Sequence, residues 1–387
     1  MVILEIVGII CEYNPLHLGH RKQIQWIKSR FDGDVAVVCL MSGNFVQRGA
    51  PAIFDKSLRA KAAILSGADL VLELPVTCAL SSAEGFARGG VEILGRFCDY
   101  LCFGSETGDA ATLMAAADGL LSEDFKPLLR AELDKGISFP AARAAALEAL
   151  GRDAEILRRP NDILAVEYCK AILSTGTSMK PLPMTRQGSY HAETPDADNP
   201  SATALRKLIL EQGNWQAYVP ECTRNLFEDA AVHTLKLGER AVLAKLRTMT
   251  DREFESVPYG SEGLWRKFMH ACRREADLSA ITSATKSKRY TATRIDRMLM
   301  CAYLGITAEM LAAPVPYVRT LALNDRGRSV LKSAKQHLHC INAGQIPDSP
   351  YWELEKRCAD LYTLFSAASE APGAEEKQRI YYHKESS

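Results

Sequence analysis

Two imidazoles three residues apart, His17 and His20, close the stretch V-G-I-I-C-E-Y-N-P-L-H-L-G-H that runs from Val7 to His20. Ile3 to Cys11 is an apolar run that predicts a buried strand. Asn14-Pro15 breaks it, because a residue before proline is pushed out of the α region. Leu18 then opens a helical pattern continued by Ile24 and Ile27. The histidines therefore fall at a strand–turn–helix junction. A helix amino terminus offers unpaired N–H groups and a positive dipole end, and so attracts phosphate. Imidazoles placed there can donate to phosphate oxygens while charge builds in a transition state, and Gly19 removes a side chain that would hold a nucleotide off the backbone. H-x-G-H also occurs as an ordinary capped turn. Its position after the first strand, where open α/β sheets bind ligands, favours the chemical reading.

Further groups of residues have types suited to the same ligand. S-A-T-A-L-R, Ser201 to Arg206, puts Ser201 and Thr203 at a helix start and Arg206 one turn along, an arrangement able to hold a triphosphate from the far side. Gly104, Asn161 and Arg186 each follow or open an element at the predicted carboxyl edge of the sheet. Gly104 admits a base or ribose to the backbone, and Asn161 and Arg186 can hydrogen-bond or cover a nucleotide. The loop Ser42–Gly49 carries Asn44, Gln47 and Arg48, donors for a carboxylate or for RNA. From Arg266 to Arg297 nine basic residues, among them Lys286, Lys288, Arg289, Arg294 and Arg297, face only Glu275, Asp277 and Asp296, with Tyr290 interleaved. That imbalance suits a phosphate backbone. No H-E-x-x-H, C-x-x-C or paired His/carboxylate spacing for a protein-held metal occurs.

The elements that must position these groups alternate. Strands are predicted over Val35–Met41, Asp69–Leu74, Tyr100–Phe103 and Lys180–Thr185, with helices over Lys56–Leu65 and Ser81–Phe97 and further helices from Pro160 and Ser201. Together with the first strand they predict an α/β, Rossmann-like domain over residues 1–210, built on a five-stranded parallel sheet. An Ala- and Leu-rich stretch, 109–150, reads as a helical insertion. Residues 211–387 predict a mostly helical second domain, with one small strand within Pro314–Leu323 and a charged tail. Composition is that of a globular protein, 47% hydrophobic and 24% charged in 387 residues. The formal net charge is zero, so a nucleic-acid surface has to be a local patch. No 18-residue apolar run and no signal peptide is present, and eleven scattered cysteines predict reduced core thiols in a cytoplasmic protein. Cys11, beside the histidines, is read as a core thiol rather than a nucleophile.

With these residues in place, the sequence resembles the tRNA(Met) cytidine acetate ligase family of the HxGH nucleotidyltransferase superfamily. The resemblance rests on G-I-I-C-E-Y-N-P-L-H-L-G-H, M-S-G-N-F-V-Q-R-G-A-P-A-I-F-D-K, G-A-D-L-V-L-E-L-P, L-C-F-G-S-E, P-N-D-I-L-A-V-E-Y and S-A-T-A-L-R-K. It continues in T-K-S-K-R-Y-T-A-T-R-I-D-R-M-L and P-Y-V-R-T-L-A-L-N-D-R-G. Cys11 and Leu16 depart from the valine-like and aromatic residues expected there, and neither supplies chemistry. The resemblance implies a ligase that makes acetyl-adenylate from ATP and acetate and passes the acetyl group to the wobble cytidine of elongator tRNA(Met), with magnesium arriving on the ATP. It implies ATP-binding positions at Val7, Gly8, Ile9, Ile10, Cys11, Glu12, Tyr13, Asn14, Pro15, Leu16, His17, Leu18, Gly19 and His20, and at Gly104, Asn161, Arg186 and Gln187. It implies no membrane and no obligatory protein partner. Two other readings stay open on the residues: an adenylyltransferase acting on a phosphorylated cofactor precursor, and a non-catalytic RNA-binding protein on the same fold.

Overall fold

The computed structural model describes residues 4–32, 35–185, 201–287 and 290–384. Strand β1 (Glu5–Cys11) runs into helix α1 (Leu18–Arg30) and then β2 (Val35–Ser42). A small antiparallel hairpin, β3 (Phe45–Val46) and β4 (Ala50–Pro51), precedes α2 (Lys56–Leu65) and β5 (Leu70–Leu74). Helices α3 (Val76–Ala79) and α4 (Ala83–Leu94) lead to β6 (Tyr100–Ser105). Helices α5 (Ala110–Leu121), α6 (Phe125–Asp134), α7 (Phe139–Ala149) and α8 (Pro160–Thr175) lead to β7 (Lys180–Thr185), and α9 (Ala202–Leu210) follows.

The five parallel strands predicted lie in the order β5-β2-β1-β6-β7. Alternate residues of β1 and β2 enter opposite cores. Val7, Ile9, Val37 and Cys39 pack on α1 and α2, whereas Ile10, Val38 and Leu40 pack on α4 and α8. Burial on both faces explains the unbroken apolar runs. Pro181 and Pro183 lack the N–H that another strand would need, and β7 is an edge. The 109–150 stretch folds as α5, α6 and α7, and Leu113, Ala117 and Leu147 join the α4/α8 core. These helices are part of the β6-to-β7 crossover.

The sheet extends beyond the strands expected of it. Residues past 211 return three strands to it: β8 (Val318–Asn324), antiparallel to β5, and the three-residue β9 (Cys340–Asn342) and β10 (Tyr381–His383), both parallel to β8. The predicted small strand is therefore real, every residue of it is buried, and it covers the β5 edge. The two short strands are below the length at which alternation is readable in sequence. The remaining helices, including Leu264–Arg274 and Ala292–Leu304, form a third core around Phe254, Phe268 and Leu299. Residues on both sides of position 211 contribute to all three cores, as Val330 does beside α4 and α8 and Phe45 does in the third core.

A buried ionic cluster joins the halves at the carboxyl end of β5. Lys56 Nζ lies 2.8 Å from Glu73 and 2.7 Å from Glu375, and Arg319 lies 2.9 Å from Glu355 and 3.1 Å from Glu375. Burial opposes the Lys56 charge, but the Glu375 and Glu73 carboxylates outweigh it and raise its pKa. Breaking such a pair leaves an uncompensated buried charge, so Lys56→Met should cost about 3–5 kcal/mol in urea unfolding. Burial, with Glu375 and Glu355 adding and Lys56 opposing, pushes the Glu73 carboxyl up to about 7. A raised carboxyl holds its proton more tightly folded than unfolded. Its contribution is complete below pH 4.5 and is lost as pH rises through about 7. Glu73→Gln should therefore flatten the fall of unfolding free energy across that window, and an unchanged slope would show that Glu73 does not titrate there.

Candidate active site

The strand order changes direction between β1 and β6. From β1 the chain moves to β2 and β5 on one side, then crosses to β6 and β7 on the other. Such a switch point opens a crevice at the carboxyl ends of the strands. Here the ladder itself marks the crevice. β1 keeps register with β2 along its whole length, from Glu5–Val35 to Cys11–Met41, but with β6 only at Val7–Tyr100 and Gly8–Leu101. From Ile9 onward β1 has no ladder partner on the β6 side among the described residues. A Cβ on Gly8 would meet Leu94 Cδ1 at 2.8 Å, so glycine here admits α4 against the last paired residue.

The histidine turn sits at the head of this crevice. His17 is the N-cap of α1, with extended backbone, and its Nδ1 accepts from Gly19 N at 3.2 Å. His20 Nδ1 accepts from His17 N at 3.2 Å, completing a reciprocal capping box. The rings stack with centroids 3.7 Å apart, and Tyr13 packs on His20 at 4.9 Å. Because each Nδ1 is an acceptor, the proton of each neutral imidazole is on Nε2. Both rings are thereby set as Nε2–H donors. A Cβ on Gly19 would lie 3.0 Å from His17 Cε1. The glycine thus makes room for the first imidazole, in addition to baring the backbone.

The turn is held from behind by Arg59, which is wholly buried. Its guanidinium donates to Glu12 O at 2.6 Å, Phe54 O at 2.9 Å, Ser42 O at 3.1 Å and Gly43 O. Burial lowers its pKa, yet an arginine remains charged. Asn14 fixes the next segment, its Oδ1 accepting from Ile53 N at 2.7 Å. Gln47 N donates to Glu12 Oε1 at 2.9 Å, which ties the β3–β4 hairpin to the turn.

The structure brings several predicted residues together here. Ser201 caps α9 by accepting from Ala204 N at 3.1 Å. Arg206 Nη1 donates to Asn14 O at 2.8 Å while Nη2 donates to Thr203 Oγ1 at 3.1 Å, so α9 is docked onto the histidine turn. Gly104 is the penultimate residue of β6 and lies opposite Met184. Asn161 opens α8, and its backbone N and Nδ2 both donate to Glu106. Glu106 also accepts from Asp162 N at 2.9 Å, so a carboxylate already occupies this helix end. Arg186 and Gln187 lie outside the described residues. Of the Val7–His20 stretch, Val7, Ile9 and Ile10 have their side chains in the cores, which leaves them only backbone to offer a ligand.

Other residues were not singled out: Arg59 lies outside every motif, and Glu106 and Asp162 lie within L-C-F-G-S-E and P-N-D-I-L-A-V-E-Y, where an acid just past β6 and another in the first turn of α8 are signals for a mutual latch. Fully buried Asp162 accepts from Thr107 Oγ1 at 2.6 Å and from Ser105. The Cys11 thiol is pushed well up by burial and by Cys39, in keeping with a core thiol. Among the expected RNA ligands, Arg294 and Arg297 also have partners within the protein. Arg294 donates to Tyr259 O at 2.7 Å and to Ser261 Oγ at 3.0 Å, and Arg297 stacks over Tyr259 at 5.2 Å. Both are anchored in the protein's own packing. Lys286 is exposed, and Lys288 and Arg289 lie outside the described residues.

A dinucleotide-type sheet with a histidine-capped helix at its switch point defines a nucleotidyltransferase, and the model of the HIGH Nucleotidyl Transferase family matches residues 4–377. The tRNA(Met) cytidine acetate ligase of Clostridium novyi is 38% identical over 86% of this chain and 88% of its own, and that of Acetivibrio thermocellus is 36% identical over 86% of each. Crystal structures of Thermotoga maritima TmcAL superpose with TM-scores of 0.89 for the apo form and 0.87 for the form bound with alpha-thio ATP. They share 27% and 26% identity, covering 98% of this chain and 100% of theirs. The chain belongs to the tRNA(Met) cytidine acetate ligase family.

Arg59→Lys tests the clamp. An ammonium is a compact charge with three donors and cannot reproduce a planar fork spread over four carbonyls. The variant should lose about 2–4 kcal/mol of stability and bind ATP more weakly, measured by urea unfolding and by nucleotide titration. Wild-type values in both would remove Arg59 from the account.

Proposed function

We propose that this protein activates acetate with ATP as acetyl-adenylate, releasing pyrophosphate, and transfers the acetyl group to the exocyclic amine of the wobble cytidine of elongator tRNA(Met). The products are N4-acetylcytidine and AMP. The observation that carries the proposal is the reciprocal capping of His17 and His20, which sets two Nε2–H donors beside the switch-point crevice. Acetate attacks the α-phosphorus while the bond to pyrophosphate breaks, so charge grows on the phosphate oxygens and on the leaving group. Fixed donors at that place stabilise the transition state without reorganising. Arg206 and Thr203 hold α9 over the same turn, and Gly104 and Asn161 flank the β6 side as the base- or ribose-facing positions. Val7–His20, Arg186 and Gln187 complete the ATP site in this reading.

No protein nucleophile is needed, because the cytidine amine attacks the mixed anhydride directly and AMP leaves. The described residues contain no His, Cys, Asp and Glu group able to hold a metal ion, so magnesium would enter on the triphosphate. RNA is assigned to the helical part, with Lys286 and the loop that follows it as phosphate contacts. A cytoplasmic location accords with that substrate, and no described helix is long and apolar enough to cross a membrane.

His20→Ala should lower adenylate formation by about two to three orders of magnitude while changing ATP affinity far less, since its donor acts where charge develops. His17→Ala should behave likewise. The overall reaction is read by incubating the protein with ATP, labelled acetate and total tRNA and analysing the digested nucleosides. Label in N4-acetylcytidine is the expected result. Label in no nucleoside, with ATP consumed against another co-substrate, would contradict the proposal.

A further inference from the structure

We infer that the exposed face of the helix Leu264–Arg274 is the surface on which the tRNA phosphate backbone lies. The inference rests on the ligase reading above and names the surface that reading requires. The helix reads L-W-R-K-F-M-H-A-C-R-R. Leu264, Phe268, Met269, Ala271 and Cys272 are buried in the third core. The exposed positions are Arg266, Lys267, His270, Arg273 and Arg274, so every exposed side chain is basic and the helix contains no acid. A solvated helix face ordinarily carries both signs, because opposite charges three or four apart stabilise it. Like charges on one face cost stability unless a polyanion offsets them.

Only one of these cations has an acidic partner in the ion pairs of the described residues. Arg273 lies 2.5 Å from Asp251. Lys267 Nζ instead donates to the carbonyl of Lys286 at 2.9 Å, which brings exposed Lys286 alongside and continues the basic surface. At about 1.5 Å per residue the face is roughly 16 Å long, enough to follow several phosphates.

The amino-terminal end of this face leads to the nucleotide site by direct contacts. Arg266 stacks over Trp265 at 4.9 Å, and a Cβ on Gly260 would meet Trp265 Cβ at 2.7 Å. The carbonyl of adjacent Tyr259 holds Arg294, and its ring lies under Arg297. Gly49, at φ +76°, is pressed against the backbone of Asp296 and Arg297, where a Cβ would fall 2.4 Å from Arg297 N. Gln47 in the same hairpin bonds Glu12 of the histidine turn. A chain of packing contacts therefore links this end of the helix to the histidine turn. An aromatic–arginine stack at that end also suits unstacked bases of an RNA loop.

The test compares two triple variants that each remove three positive charges. Arg266→Gln/Lys267→Gln/Arg274→Gln alters the basic face. Lys126→Gln/Arg130→Gln/Lys135→Gln alters exposed positions on α6 and at its C-cap and controls for net charge. Binding of total tRNA is measured by filter retention from 0.05 to 0.3 M salt. The first triple should bind tRNA about tenfold or more weakly, with a salt slope shallower by roughly two to three, as about 0.7–0.9 is lost per phosphate contact. The control should match the wild type. Equal behaviour of the two triples would overturn the inference. If the wild type itself neither retains nor acetylates tRNA, the ligase reading has failed. Acetate-dependent ATP–pyrophosphate exchange, run without RNA, reports whether each variant is folded.

Discussion

One buried cation holds the geometry of the histidine turn. Among the described residues Arg59 has no carboxylate hydrogen-bond partner and instead donates to backbone carbonyls of Glu12, Ser42, Gly43 and Phe54. Taking a charge out of water costs several kcal/mol, and charge-assisted bonds to well-placed carbonyls offset it. The arrangement is therefore satisfied only when the end of β1, the end of β2 and the approach to α2 hold their native positions together. The histidine-turn side of the candidate site follows from that constraint. Glu12 carries the hairpin through Gln47, Asn14 carries α9 through Arg206, and the histidines are spaced from the same turn.

The sheet supplies the second constraint. Because β1 and β6 stay paired only through Gly8 and Leu101, the crevice is a consequence of packing. Leu94 and Cys98 fill the space against Gly8, and beyond them the strands are free to diverge. The C-terminal strands do a different job. β8 closes the β5 edge, and the tail delivers Glu375 into the Lys56 and Arg319 cluster. The helical part is fastened to the sheet domain at several places, among them the ionic cluster, the Gly49 contact with Asp296 and Arg297, and the hydrogen bonds from Tyr362 to Ala52 O and from Tyr259 to Leu80 O.

Much of this architecture is legible in the sequence where the physics is local. Four of the five parallel strands, β1, β2, β5 and β6, are largely buried and read as apolar runs, whereas β7 is a half-exposed edge marked by its lysine and two prolines. Ser201 caps a helix and H-x-G-H caps another, both within four residues of chain. The β8 strand was visible as a fragment, and β9 and β10 were not, because three residues carry no period. Arg59 was invisible for another reason. Its partners are backbone carbonyls 5 to 47 residues away, and no side-chain pattern records such a bond. The basic segment is legible as composition, but only the fold distinguishes its members: Arg294 and Arg297 contact Tyr259, and Arg294 also Ser261, whereas Arg266, Lys267, Arg273, Arg274 and Lys286 face solvent. Asn161 was readable as a ligand candidate and Glu106 was not, and their mutual bond makes the two one oriented unit.

The central claim is that the turn held by Arg59 is an adenylate-forming site that works on acetate before any RNA arrives. Acetate-dependent exchange of labelled pyrophosphate into ATP, measured with the purified wild-type protein in the absence of tRNA, tests it most directly. Exchange that requires acetate and ATP and proceeds without RNA is the predicted result. Exchange that is indifferent to acetate, or that appears only with a phosphorylated cofactor precursor, would contradict it.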